Sequence, residues 1–209
     1  MNRKLLIHTG TVDREFWGLA LCLIFFACGI LIGTISVGNL DTAEILALQS
    51  SMSRYIAQIA DGTYSSPTFF SVFWSLGKYH LLVVFLGFSL LGILGLPVIS
   101  GIRGFYLSFS ISAFIQAFGV EGWPVAFSLF GTSALIAIPC FFLLASQSFS
   151  ASATLGKALI GSDKLRAGTL YGSHYLVRTT LCFIGILAAV LIELYVTPAL
   201  VSWTSVVLK

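Results

Sequence analysis

Residues 17–37 read WGLALCLIFFACGILIGTISV and contain no charged side chain. A helix needs about 20 apolar residues to cross the hydrocarbon core of a bilayer, and this stretch supplies them. It is also longer than the ~7–15-residue apolar core of a secretory signal peptide, and the charged segment before it, MNRKLLIHTGTVDREF, is long for such a leader. We therefore interpret residues 17–37 as an uncleaved membrane anchor.

The composition of the whole chain agrees with that interpretation. Of its 209 residues, 57% are hydrophobic and only 9% are charged, whereas soluble domains carry about 25% charged residues. The net charge of +3 is scattered along the chain, so it does not form the basic patch of a nucleic-acid-binding protein. The sequence predicts one all-α integral membrane domain over residues 1–209, with membrane lipid rather than nucleic acid around it.

Four further apolar segments follow the anchor, so we predict a polytopic bundle of about five transmembrane helices in the cell membrane. The predicted spans are 17–37, 81–100, 105–119, 125–146 and 179–203. Lys and Arg are enriched in cytoplasmic loops, and an N-terminus in the cytoplasm places eight of them inside: Arg3, Lys4, Arg14, Arg103, Lys157, Lys164, Arg166 and Arg178. The outer side then holds Arg54, Lys78 and Lys209.

Two connections between the predicted spans are long. In the outer loop, residues 38–80, apolar side chains recur at helical spacing, which predicts an amphipathic helix with its stripe against the membrane or a partner. The stripe consists of Ile45, Leu48, Met52, Tyr55, Ile56 and Ile59. The aromatic stretch at 68–80 predicts a second short surface helix or a re-entrant turn. The cytoplasmic loop, residues 147–178, is small and polar, and one surface helix is expected between Leu155 and Leu165.

Glycines and prolines inside the spans indicate helix packing and kinks. Gly29 and Gly33 are four residues apart, which favours close packing against another helix of the chain, with dimerisation as the alternative. Pro97, followed by Arg103 and Gly104, predicts a distorted turn at the cytoplasmic boundary, from which Arg103 reaches the head groups. Pro139 predicts a kink in the middle of the fourth span.

A carboxylate lies within the last span, in LAAVLIELYVTPALVSW at residues 187–203. Glu193 is in the outer leaflet if the span begins near Arg178, and a carboxylate there costs several kcal/mol unless it is paired, protonated or near water. Two interpretations stay open. Glu193, with Tyr195 nearby, docks a partner or lines a pore, or it makes a hydrogen bond that joins two helices.

The sequence does not contain the residues that enzymatic or metal chemistry requires. It has no HExxH, GxSxG or Gly-rich phosphate motif, and His8, His80 and His174 are not spaced as metal ligands. The four cysteines lie in apolar runs and form no CxxC pair, so we interpret them as small apolar side chains. We expect no catalytic residue, no metal and no cofactor.

Several local patterns together resemble the stage II sporulation protein M family over nearly the whole chain. They are GILIG at 29–33, GLPVI at 95–99 followed by Arg103 and Gly104, FGVEGW at 118–123, Ile138–Pro139, and ELYVTP from Glu193 to Pro198. One departure is the stretch FGTSALIAIP at 130–139, where many relatives carry a more polar cluster.

The resemblance implies a non-enzymatic membrane scaffold for engulfment during endospore formation. Its partners would be two membrane-anchored peptidoglycan hydrolases, sporulation proteins D and P, and the chain itself could form a homo-oligomer. The outer loop would then lie on the side of the membrane where wall enzymes work. The alternative is a permease-like subunit of a transport system, favoured by the prolines, hydroxyls and acid within the spans. An intramembrane protease is disfavoured because no base is available.

Overall fold

The computed structural model describes residues 3–61, 63, 67–160 and 172–204, and all the regular elements in these ranges are helical. The first four helices are α1 (Arg3–Gly38), α2 (Thr42–Ala60), α3 (Phe69–Gly87) and α4 (Gly92–Phe118). Helix α5 covers residues 123–160 and helix α6 covers Ser173–Thr204. Each of these last two has a short π-helical segment within it, Phe127–Gly131 in α5 and Ile192–Val196 in α6.

Five of the helices are long and apolar enough to cross a membrane, which confirms the predicted fold class. The spanning segments are Asp13–Gly38, Phe69–Gly87, Gly92–Phe118, Trp123–Leu159 and Ser173–Thr204. At 1.5 Å per residue even the 19-residue α3 covers about 28 Å, close to the thickness of the hydrocarbon core. The chain is therefore a multi-pass membrane protein.

The predicted boundaries of the second and third spans differ from the structure. Helix α3 begins at Phe69, so the aromatic stretch at 68–80 is the first half of a span and not a separate surface helix. The turn between α3 and α4 lies at 88–91, where the Leu91 N–H donates to the Ser89 hydroxyl at 3.2 Å. This turn is itself apolar apart from one serine, so hydropathy does not distinguish it from the helices on either side.

That shift moves several residues from the predicted loops into the bilayer. Helix α4 passes through Pro97, Arg103 and Gly104 without a break, so the distorted boundary turn expected there is wrong. Lys78 and His80, predicted outside, lie in the middle of α3, where Lys78 is exposed and His80 is fully buried. Pro97 is the sixth residue of α4, where it removes one i→i−4 hydrogen bond, yet the helix continues to Phe118.

The predicted cytoplasmic loop at 147–178 is shorter in the structure, because α5 continues to Ile160. Its serine-rich segment lies against neighbouring helices: the Gln147 amide donates to Thr179 at 2.9 Å, and the Ser152 hydroxyl donates to the Leu86 carbonyl at 3.0 Å. Small side chains let helices approach closely in lipid, so this segment is an interface and not a loop. The surface helix expected between Leu155 and Leu165 lies partly outside the described residues.

Helices α1 and α4 form the closest pair in the bundle. A Cβ atom on Gly29 would collide with the Gly101 carbonyl oxygen, and one on Gly104 would collide with the Phe26 carbonyl oxygen. Gly33 faces Phe105 and Ser108, and the Ser108 hydroxyl donates to the Ile30 carbonyl at 2.9 Å. The glycines thus bring two backbones within van der Waals distance inside one chain.

Helix α2 is amphipathic, as predicted, but its apolar stripe packs on the bundle of its own chain. Met52, Ile56 and Ile59 contact a cluster that includes Phe114 of α4 and Val201 of α6. The helix begins after Asp41, whose backbone N–H donates to the Glu44 carboxylate at 3.1 Å. It therefore lies across the ends of α4 and α6 as a fixed part of the fold.

The distribution of cations still favours a cytoplasmic N-terminus with the new boundaries. Lys78 and Arg103 now lie within spans, Arg54 is at the outer end of the bundle, and Lys164, Arg166 and Lys209 lie outside the described residues. The remaining cations are at the other end of the bundle, which would be cytoplasmic: Arg3, Lys4, Arg14, Lys157 and Arg178. In this orientation α2 and the link between α4 and α5 face outward, and that link begins at Gly119, whose φ of 72° suits glycine.

Candidate functional site

Glu193 lies in the π-helical segment of α6, at the level of the π-helical segment of α5. A π segment places an extra residue in a helical turn, which rotates the following side chains, and such segments occur frequently at functional sites. Leu129 and Phe130 come from the segment in α5, and Glu193 from the segment in α6. These three side chains line both of two adjoining cavities.

The upper cavity, of about 420 Å³, lies between α2 and the ends of the spans. Its wall includes Ser51 and Tyr55 of α2, Pro67 of the outer loop, Phe114 of α4, and Thr197 of α6. Thr197 is only 4% exposed, and its hydroxyl has no hydrogen-bond partner among the described residues. A buried hydroxyl without a partner costs free energy, so a polar group inside this cavity would satisfy it.

The lower cavity, of about 300 Å³, is lined by both apolar and polar side chains from four helices, α3 to α6. Arg103 and Glu193, from α4 and α6, both line it. The hydroxyl groups around it come from α3, α4 and α5, and belong to Ser75, Tyr79, Tyr106, Ser110 and Ser133. Charged and hydroxyl side chains gathered at this depth mark a functional candidate rather than a lipid-facing surface.

The lining residues are ordered by depth along the helices. On α4, Phe114 lines the upper cavity and Arg103 the lower one, eleven residues or about 16 Å farther from the outer end. On α6, Thr197 lines the upper cavity and Glu193 lines both. The two cavities therefore form one descending series from the outer side, with Glu193 at the junction and Arg103 at the lower level.

Arg103 is held by aromatic rings at the lower cavity. Its guanidinium carbon lies 5.5 Å from the ring centre of Tyr79 and 5.1 Å from that of Phe141, which are cation–π distances. Below it, Phe141 and the fully buried Leu96 and Leu144 belong to the main hydrophobic core. The guanidinium thus closes the polar space on the cytoplasmic side.

The two opposite charges of the site do not pair with each other. In the described part of the chain the one ion pair within 4.0 Å joins Arg178 to Glu15 at the cytoplasmic end of the bundle. Glu193 shares the lining of the lower cavity with Ser133 of α5. The described residues also contain no group of three or more His, Cys, Asp or Glu side chains that could hold a metal ion.

A family model for stage II sporulation protein M matches residues 22–198. The chain belongs to the stage II sporulation protein M family. The matched range contains both cavities' span residues and all the residues on which the sequence resemblance rests, from Gly29 to Pro198. Comparison with curated proteins and with solved structures gave no match.

In this member of the stage II sporulation protein M family, the structure brings some of the predicted site residues together and separates others. Arg103 and Glu193 meet at the lower cavity, although the sequence placed Arg103 at the membrane boundary. Tyr195 is 74% exposed and lies away from the cavities, so it is not adjacent to the site. Pro139 is on the exposed side of α5, and Pro198 is the second residue after the π-helical segment of α6.

The face of α4 that lines the cavities was not predicted from the sequence. Arg103, Tyr106, Leu107, Ser110 and Phe114 recur at helical spacing, and all five line the two cavities. The spacing is visible in the sequence, but a boundary drawn at 101–104 divides it between a turn and a span. The π-helical segments carry no comparable sequence signal, because their residues are ordinary helix residues.

Proposed function

We propose that the chain is a non-enzymatic membrane scaffold that recruits peptidoglycan-degrading partners to the outer face of the membrane during engulfment in endospore formation. Family membership supports this proposal, and so does the placement of α2. The observation that carries it is that α2 uses its apolar stripe within the chain, on Phe114 and Val201. In this proposal its other face is the surface that meets the partners.

The outward face of α2 combines polar side chains with an exposed leucine, Leu46, a mixture suited to protein contacts. It carries exposed serine, arginine and glutamine side chains, at Ser50, Ser53, Arg54 and Gln58. Arg54 donates from Nε to the Ser50 carbonyl at 3.3 Å, so its side chain is directed along this face. Arginine is enriched at protein interfaces because its planar group donates several hydrogen bonds.

The partners that the resemblance implies are the membrane-anchored sporulation proteins D and P. Such enzymes work on the wall, on the same side of the membrane as α2 in the proposed orientation. The cutting chemistry belongs to them in this proposal, and the chain supplies position and contact. A rigid platform is useful in that role because a preordered surface loses less conformational entropy on binding.

The experiment is co-purification of this chain with proteins D and P after co-expression in mild detergent. Arg54→Glu reverses a charge on the outward face of α2 and is expected to reduce the recovery of the partner severalfold. Lys157→Glu makes the same change on an exposed residue at the cytoplasmic end of α5 and serves as the matched control. Equal recovery with both variants would contradict a docking role for α2.

A permease-like subunit is the second candidate, and the lower cavity favours it. A single intramembrane acid makes a poor pathway, but the structure places Arg103 beside the same space. The discriminating measurement is solute uptake into vesicles that contain the purified chain, with and without an energised ATPase partner. Uptake that is lost in Glu193→Gln while proteins D and P still bind would favour the permease over the scaffold.

A further inference from the structure

The lower cavity has the chemistry of a binding site for a small zwitterion. We propose that it binds a molecule whose ammonium group contacts Glu193 and whose anionic group contacts Arg103. The proposal is independent of the scaffold function, because it concerns the interior of the bundle and not the outward face of α2. It also requires binding only and no translocation.

The two charged side chains of the lower cavity are separated from each other. Arg103 and Glu193 line one cavity but are farther apart than the 4.0 Å of an ion pair. An ionised group at this depth is costly without a partner. A ligand with opposite charges at its two ends would give each residue a charge-assisted partner at once.

The N–H groups of Arg103 and the hydroxyl groups near it can donate hydrogen bonds to an anion. A guanidinium has five N–H donors, of which a carboxylate or phosphate accepts two in parallel. The guanidinium carbon is 5.1 and 5.5 Å from the ring centres of Phe141 and Tyr79, and these contacts restrict the positions of the group before a ligand arrives. The hydroxyl groups of Tyr106 and Ser110, which line the same cavity, supply further donors to an anion.

The volume of the lower cavity and the ways into it limit which zwitterion it could bind. At about 300 Å³ the lower cavity is at the small end of ligand pockets, which span about 300–1,000 Å³, and this favours an amino acid or a dipeptide. The upper cavity adjoins it, so a dissolved zwitterion would enter the lower cavity past Leu129, Phe130 and Glu193, which line both. Tyr106 is 56% exposed at the edge of α4, so the zwitterionic head group of a lipid has a lateral route.

These two sources share one chemistry, an ammonium group beside a carboxylate or a phosphate, and the experiment separates them. Purified full-length chain in detergent is titrated with alanyl-alanine by calorimetry. N-acetylalanine, which lacks the ammonium, and alaninamide, which lacks the carboxylate, are the matched probes. In a second arm, thermal stability is compared in nanodiscs of phosphatidylethanolamine and of phosphatidylcholine, whose head group has no N–H donor.

Binding of alanyl-alanine, or stabilisation by phosphatidylethanolamine over phosphatidylcholine, supports the proposal and identifies the source. Arg103→Gln and Glu193→Gln are each expected to weaken binding about tenfold or more, and Glu193→Gln should abolish the preference for the free ammonium. Lys157→Gln removes an exposed cation that lines neither cavity and should leave binding unchanged.

Ser110→Leu fills the lower cavity without removing a charge, so it tests the site even if Arg103→Gln fails to fold. It should abolish binding while the chain keeps its thermal stability. The proposal is overturned if neither zwitterion binds, or if binding persists unchanged in Ser110→Leu and Glu193→Gln.

Discussion

Arg103 in α4 and Glu193 in α6 line the same cavity within the membrane and do not form an ion pair with each other. The relationship depends on two features of the backbone: α4 continues through Pro97, and α6 contains a π-helical segment at Glu193. If α4 did not continue through Pro97, Arg103 would lie at the head groups. The second places Glu193 at the junction of the two cavities.

A water route from the outer side to the lower cavity predicts a difference between two serines on α4. Ser110 lines the lower cavity, whereas Ser108, two residues away, donates to the Ile30 carbonyl in the contact with α1. In a cysteine-free background, Ser110→Cys should react with a charged, membrane-impermeant thiol reagent added outside. Ser108→Cys should not react, and equal labelling of the two would argue against the route.

Close packing of α1 on α4 predicts that an added methyl group is destabilising at one glycine of α1 and tolerated at another. Gly29→Ala places a Cβ atom against the Gly101 carbonyl, and overpacking of this kind costs about 1–3 kcal/mol. A Cβ atom on Gly38 meets nothing within 4 Å, so Gly38→Ala is the matched control. Thermal unfolding in detergent should show a lower midpoint for Gly29→Ala alone; similar midpoints would disprove the close contact.

The ion pair between Arg178 and Glu15 should contribute little to stability. Its two charged atoms are 3.0 Å apart, but the side chains are 57% and 32% exposed, and pairs of this kind contribute about 0–1 kcal/mol. A double-mutant cycle with Arg178→Gln and Glu15→Gln should give a coupling energy in that range by thermal or chemical unfolding. A coupling of several kcal/mol would mean that this end of the bundle is more strongly desolvated than its exposure indicates.

The number of spans and the amphipathic outer helix could be predicted because both depend on periodic patterns of apolar residues. The stripe from Ile45 to Ile59 has the spacing of a helix, and the structure contains that helix. The boundaries of α3 and α4 could not be predicted from the sequence, because the turn at 88–91 is as apolar as the helices on either side of it. Proline usually ends or kinks a helix, so Pro97 indicated a boundary, but α4 continues through it.

The site was only partly visible in the sequence. Glu193 can be identified from the sequence because it is an acid within an apolar run. Arg103 could not, because the predicted third span began after it, whereas α4 contains it. The contribution of Ser133, Ser110 and Tyr106 depends on how α4 and α5 are rotated about their axes. That rotation follows from the glycine contacts of α1 and from the π-helical segments, and a hydropathy pattern contains neither.

The central claim is that α2 and the mouth of the cavities face outward while the turn at 88–91 faces the cytoplasm. It is tested most directly by labelling single cysteines in intact cells with an impermeant thiol reagent. Gln58→Cys on α2 should be labelled in intact cells, and Leu90→Cys in the turn should be labelled only after the membrane is permeabilised. Labelling of both residues from the same side would contradict the arrangement of the spans and the orientation of the site.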